Sequence, residues 1–241
     1  MIGIDISKDL EENGDLAEFI CIILGDGHVH KRGEKSYHYY GLSISLNRIN
    51  EKEYVNYVYS LTKRVTGLNP KIYPRKGSKG IDLKVNNKKL IFDLISKGIQ
   101  TGNKVKNQVN VPEWIKNSDK YIIRGLRGLL DTDGSVWVNN RDKNLGLSFK
   151  SASKPLVNDF VEMCKKIGIK SGRILKSERY NHRLNNYYTE FQTQIIGKTH
   201  IKRFLDLIKP KKWEFKKKQI EETLISLGSS IEESLKDRRK K

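Results

Sequence analysis

The chain is written twice. When Gly27 of DLAEFICIILGDGHV (15–29) is set over Gly134 of YIIRGLRGLLDTDGSVWV (121–138), Asp26 falls over Asp133, Gly25 over Thr132 and Cys21 over Gly128. The segments that follow answer each other too, GLSISLNRINEKEYVNYVYSLTKRVTGL from Gly41 and GLSFKSASKPLVNDFVEMCKKIGI from Gly146. A repeat of this length dictates architecture, because each copy builds the same unit.

Each copy reads as helix, strand pair, helix, strand pair, helix. YHYYGLSISL (37–46) is rich in aromatic and β-branched residues, as strands are. EKEYVNYVYSLTKRV (51–65) spaces Tyr54, Val58, Leu61 and Val65 as one helical face, and KIYPRKGSKGIDLKV (71–85) is two strand-like runs around a Gly-Ser-Lys-Gly turn. In the second copy Phe160, Cys164 and Ile167 share a helical face, and RILKSERY, the polar turn NHRLNN and YYTEFQTQII form another hairpin. NVPEWI (110–115) bridges the copies, with Ser118 or Asp119 as the N-cap of the next helix. The expected fold is α+β: two pseudo-twofold-related αββαββα halves with antiparallel sheets, an N-terminal half at 1–108, a linker at 109–117 and a C-terminal half at 118–241.

Two details set the helices that open the halves apart. Ala17, Cys21 and Gly25 recur every four positions on one, and Gly125, Gly128 and Thr132 line a comparable face of the other, so the two helices are expected to pack closely on each other. Each helix also ends in an acidic residue, Asp26 or Asp133, where the peptide dipoles already leave partial negative charge. A lone Asp-Gly is an ordinary turn. Duplicated in matched context, the pair reads instead as a cation site, suited to a hard divalent ion that takes carboxylate and backbone oxygens.

The chain carries 47 Lys and Arg against 28 Asp and Glu, a net charge of +19, so a polyanion is the natural partner. No run of about 18 apolar residues suits a membrane span. No signal-peptide core opens the sequence either, and an intracellular, soluble protein is expected. Cys21 and Cys164, without metal-ligand spacing, read as small buried hydrophobes.

LRGLLDTDG (126–134) resembles the signature of the LAGLIDADG homing endonuclease family at six of nine positions. FICIILGDG (19–27) is a weaker copy, with Leu24 in place of the first acidic residue, and the resemblance covers nearly the whole chain. It implies a monomeric, two-motif, site-specific endonuclease of intron origin, whose sheets form a saddle over double-stranded DNA and whose signature helices pack at its centre. It implies a divalent metal, Mg²⁺ with Mn²⁺ as substitute, shared by Asp26 and Asp133, with the Gly25 and Thr132 carbonyls completing the shell. Asp131, whose counterpart is Leu24, is expected to cap or bond locally instead. The family's lysine in each half falls on Lys216, or next Lys218, in WEFKKKQIEE, and on Lys104 or Lys106 in TGNKVKNQVNVPEWI. Arg48 and Ser153, just after the first long strand of each half, are placed to order water near the metals.

On the strands, polar residues at every second position suit a face that reads a DNA groove: Ser43, Ser45, Asn47, Lys71, Tyr73, Arg75, Lys84, Asn139, Arg141, Ser148, Lys150, Arg173, Lys176, Arg179, Tyr188, Gln192 and Gln194. Leu42, Ile44, Ile72, Leu83, Leu147, Phe149 and Ile174 are expected to turn to the helices. His28 and His30 read as groove-facing strand residues and not as metal ligands, and NHRLNN as a hairpin turn. An RNA maturase acting on the host intron and a DNA-binding regulator are the rival functions. An intein origin is not expected, since residue 1 is neither Cys nor Ser and the chain ends in DRRKK instead of His-Asn.

Overall fold

The computed structural model describes residues 8–34, 37–181 and 185–236, so residue 1, DRRKK and residues 182–184 of the NHRLNN turn lie outside the described residues. The first half runs α1 (Gly14–Asp26), β1 (Gly27–Glu34), β2 (Tyr37–Asn47), α2 (Lys52–Thr66), β3 (Lys71–Pro74), β4 (Gly80–Val85) and α3 (Lys88–Ser96). Two single-turn helices follow, α4 (Lys104–Asn107) and α5 (Glu113–Lys116). The second half repeats the order as α6 (Asp119–Asp133), β5 (Gly134–Asn139), β6 (Asn144–Ser151), α7 (Lys154–Lys166), β7 (Leu175–Asn181), β8 (Asn186–Gln194) and α8 (Lys198–Ile208), and ends in α9 (Lys211–Ser226) and α10 (Ile231–Leu235). The sheets have matching strand orders, β1-β2-β4-β3 and β5-β6-β8-β7, antiparallel throughout.

The halves meet along α1 and α6, and the small residues explain how. A Cβ placed on Gly128 would lie 2.5 Å from the Glu18 carbonyl oxygen and 2.9 Å from Cys21 Cβ. One placed on Gly25 would fall 2.1 Å from Thr132 Oγ1. Backbones this close leave no room for a side chain, so the stripe seen in the sequence is the contact itself. At the amino-terminal end of α1, a network spans the halves. Arg124 Nε donates to the buried Glu18 carboxylate at 2.6 Å, Tyr57 Oη donates to the same group, and Asp15 takes Arg124 together with Arg64, the latter at 3.1 Å. Burying Glu18 without such partners would cost several kcal/mol, so these bonds keep the helix pair in one register.

Alternation along the strands divides each sheet into a face on the helices and an open face. Val29, Leu42, Ile44, Leu46, Ile81 and Leu83 are buried on the first sheet, and Leu145, Leu147 and Phe149 on the second. Cys21 and Cys164 are free and buried, as expected. Ile72 departs from expectation. Its register opposite Leu83 puts it on the helix side, yet it is 48% exposed, because β3 is the outer strand and all four of its residues are exposed. Ile174 packs partly against the core but precedes β7. Ser118 occupies the N-cap of α6 without a side-chain bond. Among the described residues, no helix is long and apolar enough to cross a membrane.

Candidate functional site

Asp26 and Asp133 are the last residues of α1 and α6, so the helix contact brings both to one end of the pair. The glycines that follow are needed for space and not for backbone freedom. Gly27 and Gly134 are extended, and a Cβ on Gly27 would lie 2.5 Å from Ile23 Cα, one on Gly134 2.4 Å from Leu130 Cδ1. Burial, reinforced by the Asp26 charge, pushes the Asp133 carboxyl up to about 7. Burial raises Asp26 as well, with the nearby Lys212 and Lys104 charges opposing it. Two carboxylates held together in this way at helix carboxyl ends form a strongly cation-seeking site.

A lysine answers from each half. Lys104, in the first turn of α4, is half-buried, and its ammonium donates to the Leu24 carbonyl at 2.9 Å, to Ile23 at 3.4 Å and to Gly25. Burial lowers its pKa against the pull of Asp133 and Asp26. Lys106 is exposed on the same short helix. From the second half, the lysine whose charge reaches both Asp26 and Asp133 is Lys212, in the first turn of α9. Its ammonium lies 2.9 Å from the Glu51 carboxylate and 4.7 Å from the centre of the Tyr54 ring. Lys216 sits one turn further along, exposed, on the wall of a cavity of about 220 Å³ that Lys212, Asp131 and Glu51 also line. Motif spacing alone misses Lys212. The signal that finds it is position: Lys104 and Lys212 each stand in the first turn of the helix that comes next after α3 or α8, the matching last helices of the repeated order.

Asp131 caps a helix, though a distant one and not its own. It is buried, and its two oxygens accept from the backbone N–H groups of Lys211 and Lys212, each at 2.9 Å. A carboxylate at the start of α9 meets both unpaired N–H groups and the positive end of that helix, so Asp131 fixes where Lys212 begins. Ser153 also differs from expectation. It is buried, and its hydroxyl proton goes to the Val109 carbonyl at 2.5 Å, fastening the linker to α7. Arg48 is exposed just beyond β2, its backbone N–H bonded to the Lys79 carbonyl.

Register sorts the remaining polar residues. His28, His30, Ser43, Ser45, Asn47, Lys71, Tyr73 and Lys84 share the open face of the first sheet, with Arg75 just past β3. Asn139, Ser148, Lys150, Arg179, Tyr188, Gln192 and Gln194 share that of the second. Lys176 does not join them: it pairs with Phe191, an odd number of positions from Arg179, and so lies on the opposite face. Arg173 precedes β7, and Arg141 sits in the turn between β5 and β6. Asp82 and Glu190 also stand on the open faces, although neither is expected on a surface built for DNA.

The donor set fits a hard divalent ion. Among the described residues no three His, Cys, Asp or Glu side chains gather as a metal cluster, so an ion here would take two carboxylates, backbone carbonyls and water. The Lys104 ammonium, held by three carbonyls of α1, shows that positive charge is favoured at this point.

Residues 120–209 match the model of a LAGLIDADG-like domain. The chain is similar to part of the replication factor C small subunit of Methanocaldococcus jannaschii, 30% identical over 176 residues, 68% of this chain and 9% of that protein. It is similar to part of the tRNA-splicing ligase RtcB of Methanopyrus kandleri, 24% identical over 80% of this chain and 20% of that protein. The chain thus spans a fifth or less of the length of these relatives. In fold it is similar to the homing endonuclease I-DmoI, solved as a single-residue variant with its target DNA and Mg, with a TM-score of 0.55 and 20% identity over 81% of this chain and 95% of that one. I-DmoI has also been solved with DNA and Mn. With the second motif covered by the family model, and the first packed against it at the same helix ends, the chain carries a LAGLIDADG-like domain at 120–209 and holds both motifs in one polypeptide.

Proposed function

We propose that this chain is a site-specific DNA endonuclease that makes a double-strand break by metal-dependent phosphodiester hydrolysis. The reading is carried by one observation: two facing helix ends each present an aspartate, and each half contributes a lysine whose charge reaches both. Residues 1–108 and 118–241 act as two half-sites joined by 109–117, working as a monomer on one duplex. The open faces of the two sheets lie along the major groove, where Arg, Asn and Gln meet base edges and Lys meets phosphate.

Asp26 and Asp133, with the Gly25 and Thr132 carbonyls, would hold Mg²⁺ or Mn²⁺. Bound there, the ion would lower the pKa of a coordinated water and neutralise charge on the scissile phosphate. The chain's own residues do the rest. Lys104 and Lys212 offset the negative charge that grows on phosphate oxygens, one from each half. Glu51 holds Lys212 in reach, and Asp131 fixes the start of its helix. Lys216, on the cavity wall, and Lys106, on α4, are placed to touch phosphate of the bound strands.

The test is cleavage of DNA spanning a host intron-insertion junction, in Mg²⁺ and in EDTA. Cutting of both strands in Mg²⁺ alone is expected, lost by more than about a thousandfold in Asp26→Asn or Asp133→Asn while DNA binding persists. Undiminished cutting by either variant would overturn the site. If the wild type cuts no such junction, the RNA maturase or the regulator takes precedence.

A further inference from the structure

Both open faces carry a device that strand alternation does not require. On β4, Asp82 lies opposite Ser45 of β2 and Tyr73 of β3. Its carboxylate accepts from Arg75 Nε at 3.1 Å, from Arg75 Nη2 at 2.6 Å and from Ser45 Oγ at 3.1 Å, and Arg75 Nη2 also donates to Ser45 Oγ at 2.6 Å. On β8, the strand in the same place in the second sheet, Glu190 accepts from Arg179 Nε at 3.0 Å, and Lys150 Nζ lies 3.5 Å from its other oxygen. In both cases the acid is sheltered and the arginine is not: the side chains of Asp82 and Glu190 are 16% and 9% exposed, those of Arg75 and Arg179 50% and 54%.

Carboxylates are unwelcome on a surface that meets a polyanion, since each repels phosphate. An arginine meant only for phosphate gains nothing from such a partner, because a mobile charge serves as well. One meant for a base edge gains a great deal. Reading guanine requires two N–H donors aimed at O6 and N7, and a guanidinium fixed beforehand loses less freedom on binding. In Arg75 the grip takes the Nε edge and leaves the Nη1 amino group, with its two donors, for the groove. In Arg179 it takes Nε and leaves both terminal nitrogens. Asp82 already accepts three bonds, so it is engaged as a holder and is not itself a reader of cytosine.

We propose that Arg75 and Arg179 each read one guanine of the target, one per half-site, and that Asp82 and Glu190 are the positioning residues that aim them. The proposal rests on the DNA-binding reading given above. Glu190 also lines the cavity that holds Asp133 and Lys104, which sets the guanine read by Arg179 among the central base pairs.

A binding selection tests it. The full chain in EDTA is mixed with a pool of randomised duplexes, and the retained DNA is sequenced. Wild type should enrich one guanine in each half that depends on these residues. Asp82→Asn should lose about 5- to 100-fold of the discrimination at one position and keep the rest, with Arg75→Lys losing the same position. Glu190→Gln should do so at the other. Even loss across all positions, or a general rise in affinity without positional loss, would overturn the proposal, the latter by showing that the acids merely restrain phosphate binding. Cleavage of the selected duplex in Mg²⁺ is scored separately. A guanine pattern without cutting would sink the nuclease reading alone, and cutting without the pattern would sink this one alone.

Discussion

The ammonium of Lys212 lies 2.9 Å from the carboxylate of Glu51, so a residue at the start of the last long helix is held by one at the start of the first half's second helix. The pair is mostly shielded from water, and losing the acid leaves the lysine free to swing away from the aspartates. Glu51→Gln should slow cutting of one strand by about tenfold, so that nicked plasmid accumulates. The double variant Glu51→Gln/Lys212→Met should be no slower than Lys212→Met alone. Additive losses would show that Glu51 acts through something other than Lys212.

Metal-free stability should fall as pH rises. The Asp133 carboxyl sits at about 7 in the folded chain against an ordinary 3.8, and Asp131 likewise at about 7. Between those values the native state keeps protons that the unfolded chain has released. The stabilisation is therefore full below the ordinary value and lost as pH rises to about 7, at up to about 1.4 kcal/mol per pH unit for each group. Melting in EDTA at about pH 5.5 and about pH 8 reads this directly. Asp133→Asn should flatten part of the difference, and a midpoint that rises with pH would contradict the assignment.

Gly128→Val should destabilise by about 1 to 3 kcal/mol or more, because its first carbon already meets the Glu18 carbonyl. Gly102→Ala, where a Cβ meets nothing within 4 Å, serves as the contrast, its cost coming from the positive φ of +89° alone. Denaturant titration should rank the two in that order.

Asp131→Ala should cost about 1 to 3 kcal/mol by stripping two N–H groups at the start of α9 of their acceptor, and should slow the same strand as Lys212→Met. Loss of stability with both strands cut at the wild-type rate would separate the anchor from the chemistry.

DNA affinity should fall steeply with salt, by about 0.9 log units per log unit of salt for each phosphate contact. A slope near zero would remove the basis for reading the +19 charge as a DNA-binding feature.

What the sequence makes legible is whatever local spacing encodes. Two helices ending in Asp-Gly, the small residues between them and the alternating strands all follow from periods of 3.6 and 2, and the fold holds each of them. Lys212 escapes such reading because its position is set by Asp131, 81 residues away, through bonds that no spacing records. Ser153 misleads for the same reason: its proton belongs to a linker carbonyl 44 residues back. Lys176 misleads although the period alone excludes it, standing three positions from Arg179 on one strand. Ile72 obeys the period and is exposed nonetheless, since alternation says which way a side chain points but not whether anything covers it.

Asp26 is the last residue of its helix and Gly27 the first of its strand, with Asp133 and Gly134 joined in the same way. No loop separates the piece that would read DNA from the piece that would cut it. A sheet that settled one base pair out of place would carry its aspartate along by the same distance. In such an enzyme the ruler and the blade are a single rigid part, and accuracy is a matter of length and not of timing.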